Sequence, residues 1–290
     1  MSARRALITG ASGQLGSDLQ ELLGGEWELT ALAHADLDVT DDGAVTGAFE
    51  AARPGVVFNC AAFHNVEVCE TAEDTAAAVN VRAVKRLAEH AEEAGAALVH
   101  LSTNYVFDGV REEPYTEADP PSPRSVYAIT KHAGEHAALA YCSRALVVRT
   151  AGLYGLHGSA SKGGNFVTRM LARAREQGEL RMVADQRLTP TFTADLAAGL
   201  PAALEAGVTG LLHLTNSGAG SWHEFTAAIM EIAGVEVPIE AVETTIPPGG
   251  ASRPLNGVLV SEVGPAAGLE PLRHWREALA DYMDRAGLAG

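Results

Sequence analysis

Tyr127-Ala-Ile-Thr-Lys131 sets a phenol and an ammonium four residues apart, so a helix there would carry both on one face. A free phenol has a pKa near ~10, and donating its proton near neutral pH requires a stabilised phenolate. A neighbouring lysine cation provides that stabilisation. Lowering the pKa by about three units takes roughly 4 kcal/mol, within reach of close charges in a partly dry site. Tyr-x-x-x-Lys also recurs as an ordinary surface pair, so its surroundings must decide. Upstream, the apolar run Ala97 to Ser102 continues into Thr103, Asn104 and Tyr105, placing hydroxyls where a strand of a parallel sheet would end. A hydroxyl there can orient a carbonyl beside the tyrosine.

A second signal stands at the start of the chain. Thr9-Gly10-Ala-Ser-Gly13-Gln-Leu-Gly16 directly follows the first apolar run and opens the first amphipathic stretch. Glycines at such a junction allow a tight turn and let backbone amides approach a pyrophosphate, whose charge the helix N-terminus favours. The spacing is one residue longer than the general dinucleotide fingerprint. The expected cofactor is NADPH or NADH, whose oxidised nicotinamide would add its positive charge to that of Lys131. After the second strand, Ala33 to Asp38 offers no acid at the strand end for a ribose 2'-hydroxyl and no arginine for a 2'-phosphate, so both cofactors remain open. Asp38, followed by Val39, is better placed for the adenine edge.

These groups need a scaffold, and the alternation of short apolar runs with amphipathic stretches supplies one. Strands are expected at Arg5 to Thr9, Glu28 to Leu32, Gly55 to Cys60, Ala97 to Ser102 and Ala145 to Thr150. Helices are expected at Gln14 to Leu23, Asp41 to Ala52, Val79 to Ala94 and Ser125 to Tyr141. The second half reads as a helix at Asn165 to Glu176, a strand at Arg181 to Ala184, a helix at Ala194 to Leu204 and a strand at Leu211 to Leu214. Ser221-Trp-His-Glu224 reads as a capping box opening a helix to Ala233. Pro247 to Gly250 is a loop, and Arg273 to Arg285 a closing helix. The fold class is therefore α/β: a Rossmann-type, doubly wound parallel sheet with a smaller, mixed C-terminal substrate-binding domain. The expected division is 1–152 with about 188–216 for the cofactor domain, and about 153–187 with 217–290 for the substrate domain.

Composition narrows the function further. A net charge of -16 with no dense Lys/Arg cluster excludes a nucleic-acid groove. No apolar run approaches membrane-spanning length, and Met1-Ser-Ala-Arg-Arg runs into a strand too short for a leader's core, so a cytoplasmic protein is expected. Cys60, Cys69 and Cys142 lack metal-ligand spacing and read as free thiols, with no metal site expected.

Taken in order, the motifs resemble an extended short-chain dehydrogenase/reductase, and more narrowly the dTDP-4-dehydrorhamnose reductase family of nucleotide-sugar reductases. The resemblance runs nearly end to end, through Gly10 to Gly16, Leu37 to Asp41, Asn59-Cys-Ala-Ala62, Ser102-Thr-Asn-Tyr-Val-Phe-Asp-Gly109 and Pro114 to Glu117. It continues through Tyr127 to Lys131 with Gly134-Glu135, Arg149-Thr150, Tyr154-Gly155, Gly164 to Val167, Asp185-Gln186, Pro190-Thr191, Ser221-Trp222 and Arg253-Pro254. It implies a catalytic set of Thr103, Tyr127 and Lys131, with Tyr127 as proton donor and Lys131 on the nicotinamide ribose. It also implies cofactor contacts from Gly10, Ser12, Gly13, Gln14, Leu15, Gly16, Asp38, Val39, Cys60, Ala61, Ala62 and Asn80. The implied substrate contacts are Asn104, Tyr105, Val106, Phe107, Gly152, Asn165, Phe166, Gln186 and Arg253. Asn165 reads equally as a helix N-cap, and Arg253 as a surface arginine.

Two positions depart from the family. Asn104 stands where it usually has Asp, and Gly152 where it usually has Trp. Loss of that aromatic implies a sugar pocket altered for a bulkier or differently oriented sugar, against the simpler reading that a neighbour fills the gap. The function implied is NAD(P)H-dependent reduction of the 4-keto group of a nucleotide-activated deoxysugar of the dTDP class, in rhamnose or secondary-metabolite sugar synthesis, by a chain that acts alone or as a homodimer. The alternatives are a nucleotide-sugar epimerase on the same scaffold and a non-catalytic, cofactor-binding regulator resembling that of methionine adenosyltransferase.

Overall fold

The segment Ala6-Leu7-Ile8 shows how the sheet is laid down. Leu7 packs on one face with Val57, Leu98 and Val147, while Ala6 and Ile8 pack on the other with Phe58, Val99, Leu146 and Val148. Strands buried on both faces in this way belong to a parallel sheet with helices on each side. The computed structural model describes residues 4–157 and 164–290. Met1 to Ala3, where no leader is expected from the sequence, lie outside the described residues.

The elements follow one another as β1 (Arg4–Thr9), α1 (Gln14–Leu23), β2 (Trp27–Leu32), α2 (Asp42–Ala52), β3 (Val56–Asn59), α3 (Val66–Cys69), α4 (Glu73–Ala77), α5 (Ala83–Glu93), β4 (Ala97–Thr103), α6 (Val126–Tyr141) and β5 (Ala145–Thr150). Then come β6 (Leu153–Tyr154), α7 (Phe166–Gln177), β7 (Leu180–Val183), β8 (Arg187–Leu188), β9 (Thr191–Phe192), α8 (Thr193–Glu205) and β10 (Gly210–His213). The chain closes with β11 (Gly220–Ser221), α9 (Trp222–Ile232), β12 (Ile239–Val242), β13 (Asn256–Gly257), α10 (Val263–Ala266) and α11 (Trp275–Arg285). The main sheet has six strands in the order β10-β5-β4-β3-β1-β2, all parallel. Helices α2, α5 and α6 cover one face, and α1 and α8 the other.

A second core lies in the C-terminal region, where Tyr154, Val167, Phe192, Phe225, Ile229, Trp275 and Tyr282 pack together. Short pairings stiffen it: β11 antiparallel and β13 parallel to β8, β12 parallel to β7, and β6 parallel to β9.

The strongly periodic segments lie within about two residues of their expected bounds, since burial of an apolar face dictates them. The caps agree as well: Asp41, Ser125, Asn165 and Ser221 each accept a backbone N–H at a helix start, and Ser221 with Glu224 forms the expected capping box. One difference is informative. The helix expected from Val79 begins earlier, at Glu73, and passes through a wide π-turn over Ala78–Arg82 before continuing as α5. The extra residue in that turn brings Asn80 against α6, where a Cβ on Gly134 would stand 2.2 Å from the Asn80 carbonyl oxygen.

Candidate active site

A cavity of about 390 Å³ opens where the carboxyl ends of β1, β3, β4 and β5 meet the C-terminal region. That is the side on which open parallel sheets bind ligands, and the volume suits a small-molecule site.

The glycine loop forms one wall. Gly10 has φ +68, and a Cβ there would lie 2.8 Å from Ala61 N, so the turn admits only glycine. At Gly16 a Cβ would stand 2.5 Å from the Gly10 carbonyl, which lets α1 start tight against the loop. Gly13 is the N-cap of α1 and offers no side-chain cap, leaving the first amides of the helix for an anion. Gln14 Oε1 is buried there with no partner among the described residues. A cradle that any Cβ would fill, beside an uncapped helix start, fits a dinucleotide pyrophosphate. Gly13, Gln14, Leu15 and Gly16 line the cavity, as do Cys60 and Ala62 from the end of β3.

Opposite the loop, α6 delivers Tyr127 and Lys131 into the same cavity, and β4 ends in Thr103 beside them. The phenol is hydrogen-bonded to the Thr103 hydroxyl; burial pushes its pKa up and this bond pulls it down. The Tyr105 ring meets the Tyr127 ring edge-on at 5.7 Å. Lys131 donates to the Leu101 carbonyl at 2.6 Å and stands 3.5 Å from His100 Nε2. Burial lowers its pKa to about 8 against the pull of Glu135 and Cys60. The expectation that lysine depresses the phenol pKa therefore needs correcting for the protein groups themselves. Burial is the larger influence on Tyr127, and the ammonium is held by a backbone carbonyl.

The other residues expected at the site divide. Asn104, Tyr105, Gly152, Asn165, Phe166 and Gln186 line the cavity. Asn104 donates to the Gly257 carbonyl at 3.0 Å, a bond that the aspartate usual in the family could not donate, and accepts from Thr103 Oγ1 at 3.3 Å. Asn165 is the N-cap of α7; its amide nitrogen donates to the Gly155 carbonyl at 2.6 Å and Tyr282 Oη at 2.7 Å, so its polar groups serve the fold. Gln186 donates to Thr244 Oγ1 at 2.9 Å.

Val106 and Phe107, expected against the sugar, lie instead in a buried cluster with Tyr115 and Leu259, because Phe107 stacks on Tyr115 at 4.1 Å. Arg253 lies outside the cavity wall, paired with Glu67 at 2.7 Å and bonded to the Tyr105 hydroxyl. Gly10, Ser12, Ala61, Asp38, Val39 and Asn80 also lie outside that wall. Asp38 is exposed and accepts from Thr40 N and Oγ1 at 2.8 and 2.7 Å, whereas Val39 belongs to the core. Asn80 is buried between Phe63 and Thr130.

Gly152 has φ +56, and a Cβ there would meet Leu188 Cδ1 at 2.6 Å. The space beside it is therefore taken by Leu188, and a neighbour fills the gap that the sequence reading left open.

The cavity also holds residues that sequence reasoning missed: His64, Arg169, Arg187, Leu188 and Trp222. Trp222 packs on Phe166 at 4.5 Å, an aromatic wall joining α7 to α9. Arg169 and Arg187 have no ion-pair partner among the described residues. In a chain this acidic, two unpaired arginines at one cavity mark a place for an anion. Arg169, three residues after Phe166 on α7, was within reach of the periodicity; Arg187 belongs to a two-residue strand that carries none.

Comparison with known proteins agrees with this arrangement. The chain is 41% identical over 298 residues to a dTDP-4-dehydrorhamnose reductase of Streptomyces griseus, covering 99% of this chain and 95% of that one. It is 41% identical over 289 residues to a probable dTDP-4,6-dihydroxy-2-methyloxan-3-one 4-ketoreductase of Streptomyces antibioticus, covering 96% and 94%. The crystal structure of dTDP-4-dehydrorhamnose reductase from Bacillus anthracis in complex with NADP superposes with a TM-score of 0.92 at 33% identity, covering 97% of this chain and 99% of that one. A family model described as the RmlD substrate binding domain matches residues 4–287, and the chain belongs to that family.

Proposed function

We propose that this protein is an NAD(P)H-dependent reductase of the 4-keto group of a dTDP-deoxysugar. The observation that carries the reading is the convergence of Thr103, Tyr127 and Lys131 on one cavity, whose wall also holds an uncapped helix start and two arginines without an ion pair among the described residues. The sheet with α1 to α6 and α8 belongs to a cofactor lobe assigned to 1–152 and about 188–216, with a substrate lobe at about 153–187 and 217–290. The relatives named above act on dTDP sugars by name, and the Bacillus anthracis enzyme holds NADP.

The glycine loop and the N-terminus of α1 would hold the dinucleotide's pyrophosphate, and Lys131 would bind its nicotinamide ribose. When bound, the reduced nicotinamide supplies the hydride. Thr103 Oγ1 orients the sugar carbonyl, and Tyr127 gives its phenolic proton to the oxygen as negative charge develops there. High phenol pKa keeps that proton in place until it is needed, and the Thr103 hydrogen bond, which lowers that pKa, makes its departure easier. Arg169 and Arg187 take the sugar nucleotide's diphosphate, and Trp222 with Phe166 supplies a flat apolar wall. Three free thiols, Cys60, Cys69 and Cys142, fit a reducing, cytoplasmic setting, and no helix among the described residues is long and apolar enough to cross a membrane.

The test is oxidation of NADPH and NADH, followed by absorbance, with a panel of 4-keto dTDP-deoxysugars. Cofactor oxidation with at least one supports the reading, and none with any sugar, from protein that binds the cofactor, overturns it.

A further inference from the structure

Behind Lys131 stands a histidine for which the proposed reaction has no use. His100 is in β4 and fully buried, with Nε2 3.5 Å from Lys131 Nζ. Its Nδ1 lies 3.0 Å from the side-chain amide of Asn59, the last residue of β3. Thr9 Oγ1 donates to Asn59 Oδ1 at 2.8 Å, and Asn59 and Thr9 are buried as well. Thr9 ends β1 and directly precedes Gly10. One continuous chain of buried polar groups thus crosses three strands, from the start of the glycine loop to the lysine on α6. Gly134 of α6 lies beside it, where a Cβ would stand 3.4 Å from His100 Nε2.

We propose that His100 is the positioning residue of Lys131: as a neutral imidazole it accepts one ammonium proton at Nε2, and through Asn59 and Thr9 it ties that ammonium to the strand end that opens the cofactor loop. The proposal rests on the reductase reading for its effect on turnover, though not for its effect on the lysine.

The protonation of the chain follows from the geometry. Burial and the adjacent Lys131 cation both hold His100 far below the ordinary histidine pKa, so the ring is neutral and has one N–H. A cation beside Nε2 requires the bare nitrogen there, which puts the proton on Nδ1. Nδ1–H in turn requires an acceptor; the structure places the Asn59 nitrogen toward His100 and its oxygen toward Thr9, and exchanging the two ends of the amide gives Nδ1–H that acceptor, with the NH2 on Thr9 Oγ1. The two ends of an amide have nearly the same shape, so the exchange leaves the outline of the side chain unchanged. Lys131 then has one proton on Leu101 O and one on His100, which aims the third into the cavity. The titratable groups around it are Glu135 on its own helix, with Arg149 of β5 behind that carboxylate, the Tyr127 phenol one turn earlier, and the neutral Cys60 thiol from the end of β3. Beside the Leu101 carbonyl, His100 contributes a neutral side-chain acceptor.

Removing that acceptor should make the charged lysine less stable and lower its pKa. The chain has three lysines, Lys85, Lys131 and Lys162, so NMR of protein labelled with 13C-lysine can follow Lys131 directly, assigned by Lys131→Arg. In wild type Lys131 should titrate near pH 8. In His100→Leu its midpoint should fall by about one unit, with the alkaline limb of kcat moving down in step and cofactor affinity weakened. His100→Gln can place an oxygen where Nε2 stands and should retain wild-type behaviour. His100→Asn reaches Asn59 and not Lys131, and should behave like His100→Leu; this contrast stands in if the leucine variant does not fold. A midpoint and alkaline limb unchanged in the leucine variant, or identical in the Gln and Asn variants, would overturn the proposal. Wild type that titrates as expected but turns over no 4-keto sugar would overturn the reductase reading and leave the lysine measurement intact.

Discussion

Glu135 and Arg149 meet in a two-point ion pair beneath the site, Oε1 to Nε at 2.8 Å and Oε2 to Nη2 at 2.7 Å, with both side chains 3% exposed. Glu135 follows Lys131 by one turn of α6 and also accepts from Ser102 Oγ at 2.5 Å. Burial alone would push its carboxyl up; Arg149, His132 and Ser102 together outweigh burial and hold it at about 2.

Glu135→Gln should therefore be strongly destabilising, because it strands a buried guanidinium. Breaking such a pair costs about 3–5 kcal/mol, and the drop in Tm should be about 10 °C at roughly 2–4 °C per kcal/mol. The folded pKa lies below the unfolded one, so the pair's contribution is complete above the unfolded value of about 4.3 and is lost as pH falls through the folded value. The difference in Tm between wild type and variant should narrow below that point. Calorimetry across pH 3 to 7 checks it, and a gap independent of pH would contradict the account.

Tyr127→Phe retains the ring against Tyr105 and removes the proton donor that Thr103 holds. Turnover should fall by at least roughly a hundredfold, the scale of a positioned acid, with cofactor affinity and Tm little changed. Turnover near that of wild type would remove Tyr127 from the mechanism.

The glycine loop separates binding from folding. A Cβ at Gly13 meets a single neighbour, the Gly10 carbonyl at 3.2 Å, and Gly13 lines the cavity. Gly13→Val should weaken NAD(P)H binding in a fluorescence titration while largely retaining Tm. At Gly10, φ +68 and three backbone atoms of Cys60 and Ala61 within 2.9 Å leave no room, so Gly10→Val should lower Tm as well as affinity. Equal losses of stability in the two variants would show that Gly13 serves the fold rather than the ligand.

Gly152 bears on substrate choice through its neighbour. Restoring an aromatic alone should fail: Gly152→Trp sets a side chain at positive φ against Leu188 Cδ1, and the left-handed conformation itself costs about 1–2 kcal/mol. The specificity lever is Leu188, which lines the cavity. Leu188→Ala should change the ratio of kcat/KM between dTDP-4-dehydrorhamnose and other 4-keto dTDP-deoxysugars by about 10-fold or more, the scale of a pocket methylene or two. An unchanged ratio would show that Leu188 does not touch the sugar.

The sheet, the glycine loop and the Tyr127/Lys131 face were legible because each is local. Strand runs, a Gly triplet at a fixed place and a four-residue spacing all survive reading one residue after another. What escaped was set by distant partners. Leu188 fills the space at Gly152 from a strand two residues long, and Phe107 turns away from the sugar because Tyr115 stacks on it. Arg253 followed Glu67, nearly two hundred positions earlier, and neither pattern nor composition records such a pairing. His100 looked like one more residue of an apolar strand, and its meaning depends on which side of β4 faces Lys131.

Strand β10 has a consequence for how the protein is made. It pairs with β5 yet begins about 60 residues after β5 ends. At about 5–20 residues per second, the outer edge of β5 waits some seconds on the ribosome before its partner emerges. Every residue of β5 is buried in the finished sheet, so during that interval Ala145-Leu-Val-Val148 is an apolar, unpaired edge open to other chains. The nascent chain is most vulnerable to aggregation in the window between Thr150 and His213, and a chaperone that shields it has that interval in which to act.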